Sequence, residues 1–135
     1  DVSSAVDTIL QITNGHPYYT QQLCHEIFII NDDKKIHNNT IEKAIDNILS
    51  NHNFDYQEWW RQLDNTERKI IIGICNGMQS PTSSEFIFAT GIKSTSTAGS
   101  AVKRLIENGI LIKRNGETYL IEDPFWMRWI ILNRK

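Results

Sequence analysis

Residues 13–21, Thr-Asn-Gly-His-Pro-Tyr-Tyr-Thr-Gln, combine residue types that suit ligand binding. Asn14-Gly15 predicts the end of one helix, because glycine takes the left-handed conformation without Cβ strain. Pro17 favours the first turn of a new helix, where its missing N–H is no loss. A helix start offers unpaired N–H groups and a positive dipole end, which suit an anion or a polar ligand. The alternative is an ordinary turn between two helices, with Tyr18 and Tyr19 in the core.

The outer face of the helix predicted after Ser94 is a second candidate site. Its apolar stripe is centred near Val102 and Leu105, so the polar side chains point away from the core. Such a face can enter the major groove of duplex DNA, with hydroxyls on phosphates and arginine on base edges, and basic residues at a following hairpin tip add backbone contacts. The alternative is a solvated face, which Glu107 in its middle favours. The candidate DNA contacts are Lys93, Ser96, Thr97, Ser100, Lys103, Arg104, Lys113 and Arg114.

No catalytic or metal-binding motif accompanies these segments. The sequence contains no phosphate-binding loop of the G-x-x-x-x-G-K-[ST] kind and no G-x-S-x-G nucleophile elbow. His25-Glu26 begins like a zinc-protease motif, but Ile29 stands where the second histidine is needed. Cys24 and Cys75 are expected to be buried, reduced thiols. We therefore expect no catalytic residues and no metal in this chain.

Charge is spread unevenly along the chain. The 135 residues carry a net charge of −2, with 40% hydrophobic and 22% charged residues. Residues 1–62 sum to −5 and residues 63–135 to +3, and the segment 91–116 alone sums to +4. This asymmetry predicts two units with different surfaces. No apolar run is long enough to cross a bilayer and no signal pattern is present, so we expect a cytoplasmic protein without membrane contact.

Apolar periodicity predicts a chain of helices with a single hairpin. Helices are expected near 3–13, 17–30, 40–50 and 54–63, with Val6, Leu10, Cys24 and Phe28 among the inward side chains and Thr40 as the cap of the third. Capping boxes are expected at Asp64–Glu67 and Thr82–Glu85. A helix from Ser94 follows, with Ala98, Ala101, Val102, Leu105 and Ile106 on its inner face, and a last helix starts at Pro124.

A helix leading directly into a hairpin predicts a winged helix at the end of the chain. Asn115-Gly116 indicates a two-residue type I′ turn, which places Ile112 opposite Tyr119 and Arg114 opposite Glu117. The predicted fold is therefore mainly α: a helical domain at 1–63, which the resemblance below implies is a lid, followed by a winged-helix domain at 64–135 with one small β-hairpin.

Three short motifs resemble the C-terminal region of archaeal and bacterial AAA/STAND-type P-loop ATPases, the archaeal ATPase-like family. The motif T-x-G-x-P-Y-Y-x-Q is matched by Thr13, Gly15, Pro17, Tyr18, Tyr19 and Gln21. The motif R-L-I-E-x-G-[IL]-[IL] is matched by Arg104, Leu105, Ile106, Glu107, Gly109, Ile110 and Leu111. The motif Y-x-[IV]-x-D-P-x-x-x-x-W is matched by Tyr119, Ile121, Asp123, Pro124 and Trp129. The likeness covers nearly the whole chain.

The resemblance implies a regulatory lid and winged helix that act with an upstream P-loop ATPase core. It implies that Pro17 packs on adenine, with Gly15, His16 and Tyr18 beside it, and that ATP or ADP binds only in the full-length protein and not to this part alone. Glu122-Asp123 stands where such proteins often have a His-Asp phosphate sensor. The winged helix would bind DNA or a protein. The alternative function is a stand-alone winged-helix transcriptional regulator that binds DNA.

Overall fold

The computed structural model describes residues 2–31, 36–116 and 118–134, without the side chains of residues 2 and 38. Eight helices and two strands lie in these ranges. They are α1 (Val2–Thr13), α2 (Pro17–Ile30), α3 (Asn38–Asn51), α4 (Asn53–Arg61), α5 (Asn65–Cys75), α6 (Ser84–Thr90), α7 (Thr95–Glu107), β1 (Leu111–Lys113), β2 (Tyr119–Ile121) and α8 (Pro124–Asn133). The mainly α class with one small hairpin is confirmed.

The chain divides into two compact units, residues 1–55 with 124–126 and residues 56–123 with 127–135. In the first unit, α2 packs against both α1 and α3. Its core contains Leu23, Ile41 and Ile45, all nearly inaccessible to solvent. Thr13 is also buried, and its hydroxyl donates to the Ile9 carbonyl at 2.9 Å, so this polar group is satisfied.

Several inward positions predicted for the first two helices are wrong. Val6 and Leu10 are 46% and 43% exposed, whereas Ala5 and Ile9 form the buried side of α1. Phe28 and Cys24 are also exposed on α2. Two apolar residues four positions apart lie on one face of a helix. Because α1 has such a pair on its buried side and another on its exposed side, periodicity alone does not identify the buried face.

The third helix begins earlier than its predicted cap. His37 is the N-cap residue of α3 and makes no side-chain cap hydrogen bond. Thr40 instead lies within the first turn, where its N–H donates to the His37 carbonyl at 3.0 Å. The inward positions Ile41, Ala44, Ile45, Ile48 and Leu49 are confirmed as buried.

In the second unit, α5 begins with the predicted capping box. The Glu67 N–H donates to Asp64 Oδ1 at 2.8 Å, and the Asp64 N–H donates to Glu67 Oε1 at 2.9 Å. These two bonds satisfy amides that a helix start leaves without partners. Glu67 is buried, so its backbone partner also compensates for the loss of solvent around its carboxylate.

Helix α6 crosses α5 at a glycine. Phe86 of α6 is fully buried, and its ring lies over Gly73 of α5, where a Cβ atom would be 2.8 Å from Phe86 Cε2. The predicted capping box at Thr82–Glu85 is wrong, because Ser83 is the N-cap and accepts from the Phe86 N–H at 3.2 Å. Gly91 ends α6 in the left-handed region with φ 72°.

The hairpin forms with a register one residue away from the prediction. Leu111 pairs with Ile121, Ile112 with Leu120 and Lys113 with Tyr119. The Arg114 N–H donates to the Thr118 carbonyl at 2.8 Å, so Arg114 lies opposite Thr118 and a two-residue turn is wrong. The predicted pairing of Ile112 with Tyr119 is wrong for the same reason, and the pairing of Arg114 with Glu117 involves a residue outside those described.

The observed register buries one residue pair at the base of the hairpin. Leu111 and Ile121 are each about 1% exposed, because opposite residues share one face of the sheet. At the other edge of β2, the Tyr119 N–H donates to the Gln79 carbonyl at 3.2 Å. That bond joins the loop after α5 to the hairpin within this unit.

The last helix agrees with its prediction. Phe125, Trp126, Trp129 and Ile130 are all buried. In the second unit, the Trp129 ring lies 6.1 Å from the Tyr56 ring, and Arg134 lies over it at 5.6 Å. The division into domains at Leu63 stays a prediction, while the compact units meet in sequence between residues 55 and 56.

Candidate functional site

Helix α7 starts with a hydroxyl cap. The Thr97 N–H donates to Ser94 Oγ at 3.1 Å, and the two side-chain hydroxyls are 3.0 Å apart. Ser94 has the extended backbone of an N-cap residue, so this serine fixes where the helix begins. The hydroxyl of Thr97, one of the predicted DNA contacts, therefore already has a hydrogen-bond partner inside the protein.

The sequence of α7 separates into a buried face and a polar face. Ala98, Ala101, Val102 and Leu105 are buried, whereas the predicted inner residue Ile106 is 39% exposed, so its inward placement is wrong. Ser96, Ser100, Lys103 and Glu107 lie opposite the buried stripe and are exposed. Since their spacing of three or four residues keeps them on one side of a helix, they form a continuous polar surface.

Arg104 differs from its neighbours because the protein already holds its guanidinium. Its Nη2 donates to Asp64 Oδ2 at 3.1 Å, and its Nε lies 3.6 Å from Glu67 Oε2. The arginine side chain is 46% exposed and occupies the flank of α7 that faces the start of α5. A contact of Arg104 with DNA would compete with these two carboxylates.

The remaining predicted DNA contacts lie at the two ends of the α7–hairpin segment. Lys93 precedes the cap of α7 and is exposed. Lys113 and Arg114 are exposed at the far end of β1. Three packed helices, α5 to α7, followed by a two-stranded ribbon that packs on α5 and α7, have the order and contacts of a winged helix.

A family model described as "Probable winged helix domain" matches residues 54–131, more than half of the chain. The chain belongs to this winged-helix family. Neither the curated proteins nor the solved structures include a match to the chain. Within the matched residues, α7 is the helix that leads directly into the hairpin, and β1–β2 is the wing.

The Asp64 side chain has two roles in the winged-helix domain, and two substitutions separate them. Asp64→Ala removes the helix cap and the charge beside Arg104, and we expect the free energy of unfolding to fall by about 1–2 kcal/mol. Asp64→Asn keeps a good cap and removes only the charge, which for a pair this exposed contributes about 0–1 kcal/mol. Urea unfolding followed by circular dichroism measures both. Equal losses for the two variants would contradict the capping role.

The turn at residues 14–17 has the predicted helix stop and helix start. Asn14 and Gly15 have φ of 54° and 69°, and Pro17 is the first residue of α2. His16 is the N-cap, and its Nδ1 accepts from the Tyr18 N–H at 3.2 Å. One of the amides expected to be available to a ligand is therefore used internally.

The two tyrosines of this turn have opposite environments. Tyr19 is buried and its ring packs edge-on against Phe125, at 5.9 Å between ring centres. Tyr18 is 64% exposed and Pro17 is exposed. The alternative of two core tyrosines therefore holds only for Tyr19, and the surface around Gly15, His16, Pro17 and Tyr18 includes an accessible proline and an accessible phenol.

Phe88 is an exposed aromatic residue of the winged-helix domain that was not predicted from the sequence. Phe88 is 90% exposed and lines a shallow groove between α6 and the start of α7, together with Ile87, Ile92 and Thr95. The pattern Phe86-Ile87-Phe88 gives the only signal, because three consecutive apolar residues cannot all face the core from one short helix.

The two cysteines have different environments. Burial raises the pKa of the Cys75 thiol to about 12, so it stays protonated and unreactive at neutral pH. Cys24, predicted to be buried, is exposed. In the described ranges, no three His, Cys, Asp or Glu side chains come together as metal ligands. Within the same ranges, every helix falls short of the length and apolar character needed to span a bilayer.

Proposed function

We propose that the winged-helix domain binds duplex DNA through the outer face of α7 and the wing. The supporting observation is that α7 presents only polar side chains opposite its buried face, with hydroxyls at Ser96 and Ser100 and a cation at Lys103. Hydroxyls and cations are the usual partners of phosphate and base edges. A role of this kind implies a cytoplasmic protein.

Charge around this surface supports the proposal. Lys93, Lys103, Lys113 and Arg114 are exposed and have no ion pair with any residue that the structure describes. Cations without an internal partner can release counterions from DNA when they meet phosphates, which is the main source of affinity in such complexes. Arg104 is excluded from this set, because binding DNA would break its contacts with Asp64 and Glu67.

Fluorescence anisotropy with a labelled duplex at several salt concentrations tests the proposal. We expect binding that weakens steeply with salt, and Lys93→Ala or Lys113→Ala should lower the slope of log K against log salt by about one contact each. Lys43→Ala, an exposed lysine on α3, is the matched control and should leave the slope unchanged. Absence of binding at low salt, or equal effects of the three variants, would overturn the proposal.

A second proposed role concerns the turn at 14–17. We infer that Pro17 contacts the adenine of ATP or ADP, with Gly15, His16 and Tyr18 beside it, in a parent AAA/STAND-type P-loop ATPase whose core lies upstream. The exposed faces of Pro17 and Tyr18 support this role, since a flat apolar ring needs an accessible partner. In this proposal the described chain alone binds no nucleotide, and the winged helix responds to the nucleotide state.

Calorimetry of ATP binding to the parent protein tests the nucleotide role. Pro17→Ala should weaken ATP binding, because the packing surface for adenine is lost, while the exposed control His25→Ala, outside the motif, should leave it unchanged. Equal affinity in wild type and Pro17→Ala would remove the adenine contact. DNA binding without any ATP binding by the parent would favour the stand-alone regulator instead.

A further inference from the structure

A carboxylate such as that of Glu107 is unfavourable on a surface that contacts only phosphates. Glu107 lies on the outer face of α7, one turn after Lys103, and both side chains are exposed. Two acidic residues beside α7 have structural roles, since Asp64 and Glu67 form the capping box and hold Arg104. Glu107 and Lys103 have no ion pair with each other or with another described residue.

An unpaired carboxylate facing DNA is favourable only where it meets a hydrogen-bond donor. Phosphate oxygens repel it, and the amino groups of bases in the major groove are the donors available to a helix in that groove. Cytosine presents its N4 amino group there without an adjacent acceptor on the same base, whereas adenine presents N7 beside its N6 amino group. The carboxylate of Glu107 is therefore best matched by cytosine.

Lys103, in contrast to Glu107, needs hydrogen-bond acceptors on the DNA. An ammonium group only donates, and guanine offers two acceptors, O6 and N7, at the edge where thymine offers one beside a methyl group. Four residues along a helix correspond to about 6 Å of rise. Since bases on one strand are about 3.4 Å apart along the axis, two side chains with this spacing reach positions one or two base steps apart.

We propose that Lys103 and Glu107 are the specificity-determining residues of the winged-helix domain, with Lys103 reading a guanine and Glu107 a cytosine one or two steps away. This inference rests on the proposed DNA binding and adds to it the class of site that is bound. Ser96 and Ser100, on the same face toward the start of α7, contact the DNA backbone.

Selection from a duplex library randomised over one helical turn, followed by sequencing, tests the assignment. Wild type should enrich a guanine and a cytosine at fixed separation. Glu107→Gln should replace the cytosine preference by adenine, because a glutamine amide pairs with adenine N6 and N7, while the guanine preference remains. Lys103→Ala should lower discrimination at the guanine position by about ten-fold.

Controls separate the readout from folding and from DNA binding itself. Both side chains are exposed, so thermal unfolding should be unchanged, and Glu42→Gln on α3 should select the same sequences as wild type. If Glu107→Gln and Lys103→Ala bind DNA and select the wild-type sequences, the readout is wrong and the proposed function stands. If wild type enriches no duplex and shows no anisotropy change, the proposed function fails and the readout with it, as expected for a surface that binds a protein.

Discussion

Leu105→Ala is expected to lower the free energy of unfolding by about 2–5 kcal/mol, the range for a buried leucine replaced by alanine. Leu105 is fully buried on the inner face of α7, the helix that packs on both α5 and α6. The loss combines the transfer free energy of the removed methyl groups with the cavity that remains. Urea unfolding of the described chain, followed by tryptophan fluorescence, measures it.

The next residue provides a matched control for this change. Ile106→Ala removes a side chain of the same size, one position further along α7, that is 39% exposed. Because less area leaves water on folding and alanine favours helix, we expect a change smaller than about 1 kcal/mol. Equal losses for Leu105→Ala and Ile106→Ala would mean that α7 is rotated from the orientation described.

Gly73→Ala is expected to destabilise the winged-helix domain by up to about 2 kcal/mol, although alanine favours helix over glycine. The added methyl group would fall within 3 Å of the Phe86 ring, which is fully buried, so any shift of the ring would disturb the residues packed around it. Overpacking of this kind typically costs about 1–3 kcal/mol, which exceeds the gain of about 1 kcal/mol in helix propensity.

A second helical glycine should respond with the opposite sign. A Cβ atom at Gly99 in α7 would meet no atom within 4 Å, so Gly99→Ala should stabilise the domain by about 0.5–1 kcal/mol. Phe86→Leu should reduce the additional cost of Gly73→Ala in a double-mutant cycle, because the smaller side chain leaves room for the methyl group. Stabilisation by both alanines would show that α5 and α6 are not in close contact at Gly73.

Local signals in the sequence predicted some helix ends correctly and others incorrectly. Asp64 caps α5 and Gly15 adopts positive φ after α1 as expected, whereas Thr40 and Thr82 do not cap α3 and α6. These features depend on residues within one helical turn, so the chain around each position contains the information that determines it. The winged-helix order followed from them directly.

The hairpin register required information that the turn residues do not contain. Asn115-Gly116 suits a two-residue turn, but the pairing of Leu111 with Ile121 buries two aliphatic side chains together at the base of the ribbon. Register follows the burial of one face when that conflicts with the preferred turn. The predicted register also pairs aliphatic residues, Leu111 with Leu120, so residue types alone do not distinguish the two registers.

The candidate DNA surface was predicted as a set of positions, without the contacts that modify it. Arg104 and Asp64 are 40 residues apart in sequence, so no spacing rule indicates that the arginine is held by the start of α5. Apolar periodicity alone was enough to predict that these polar residues lie on the outer face of α7. Which cations are available, in contrast, depends on how α5 and α7 pack.

The outer edge of β1 in the wing affects how readily the protein self-associates. In the part of the chain that the structure describes, β1 has a strand beside it on one side only, since the sheet consists of β1 and β2. An open strand edge can recruit a further chain and start an aggregate. The edge here is three residues long and ends in Lys113, next to Arg114, and short, positively charged edges resist such growth. The cations proposed to meet DNA thus also keep neighbouring copies from joining edge to edge.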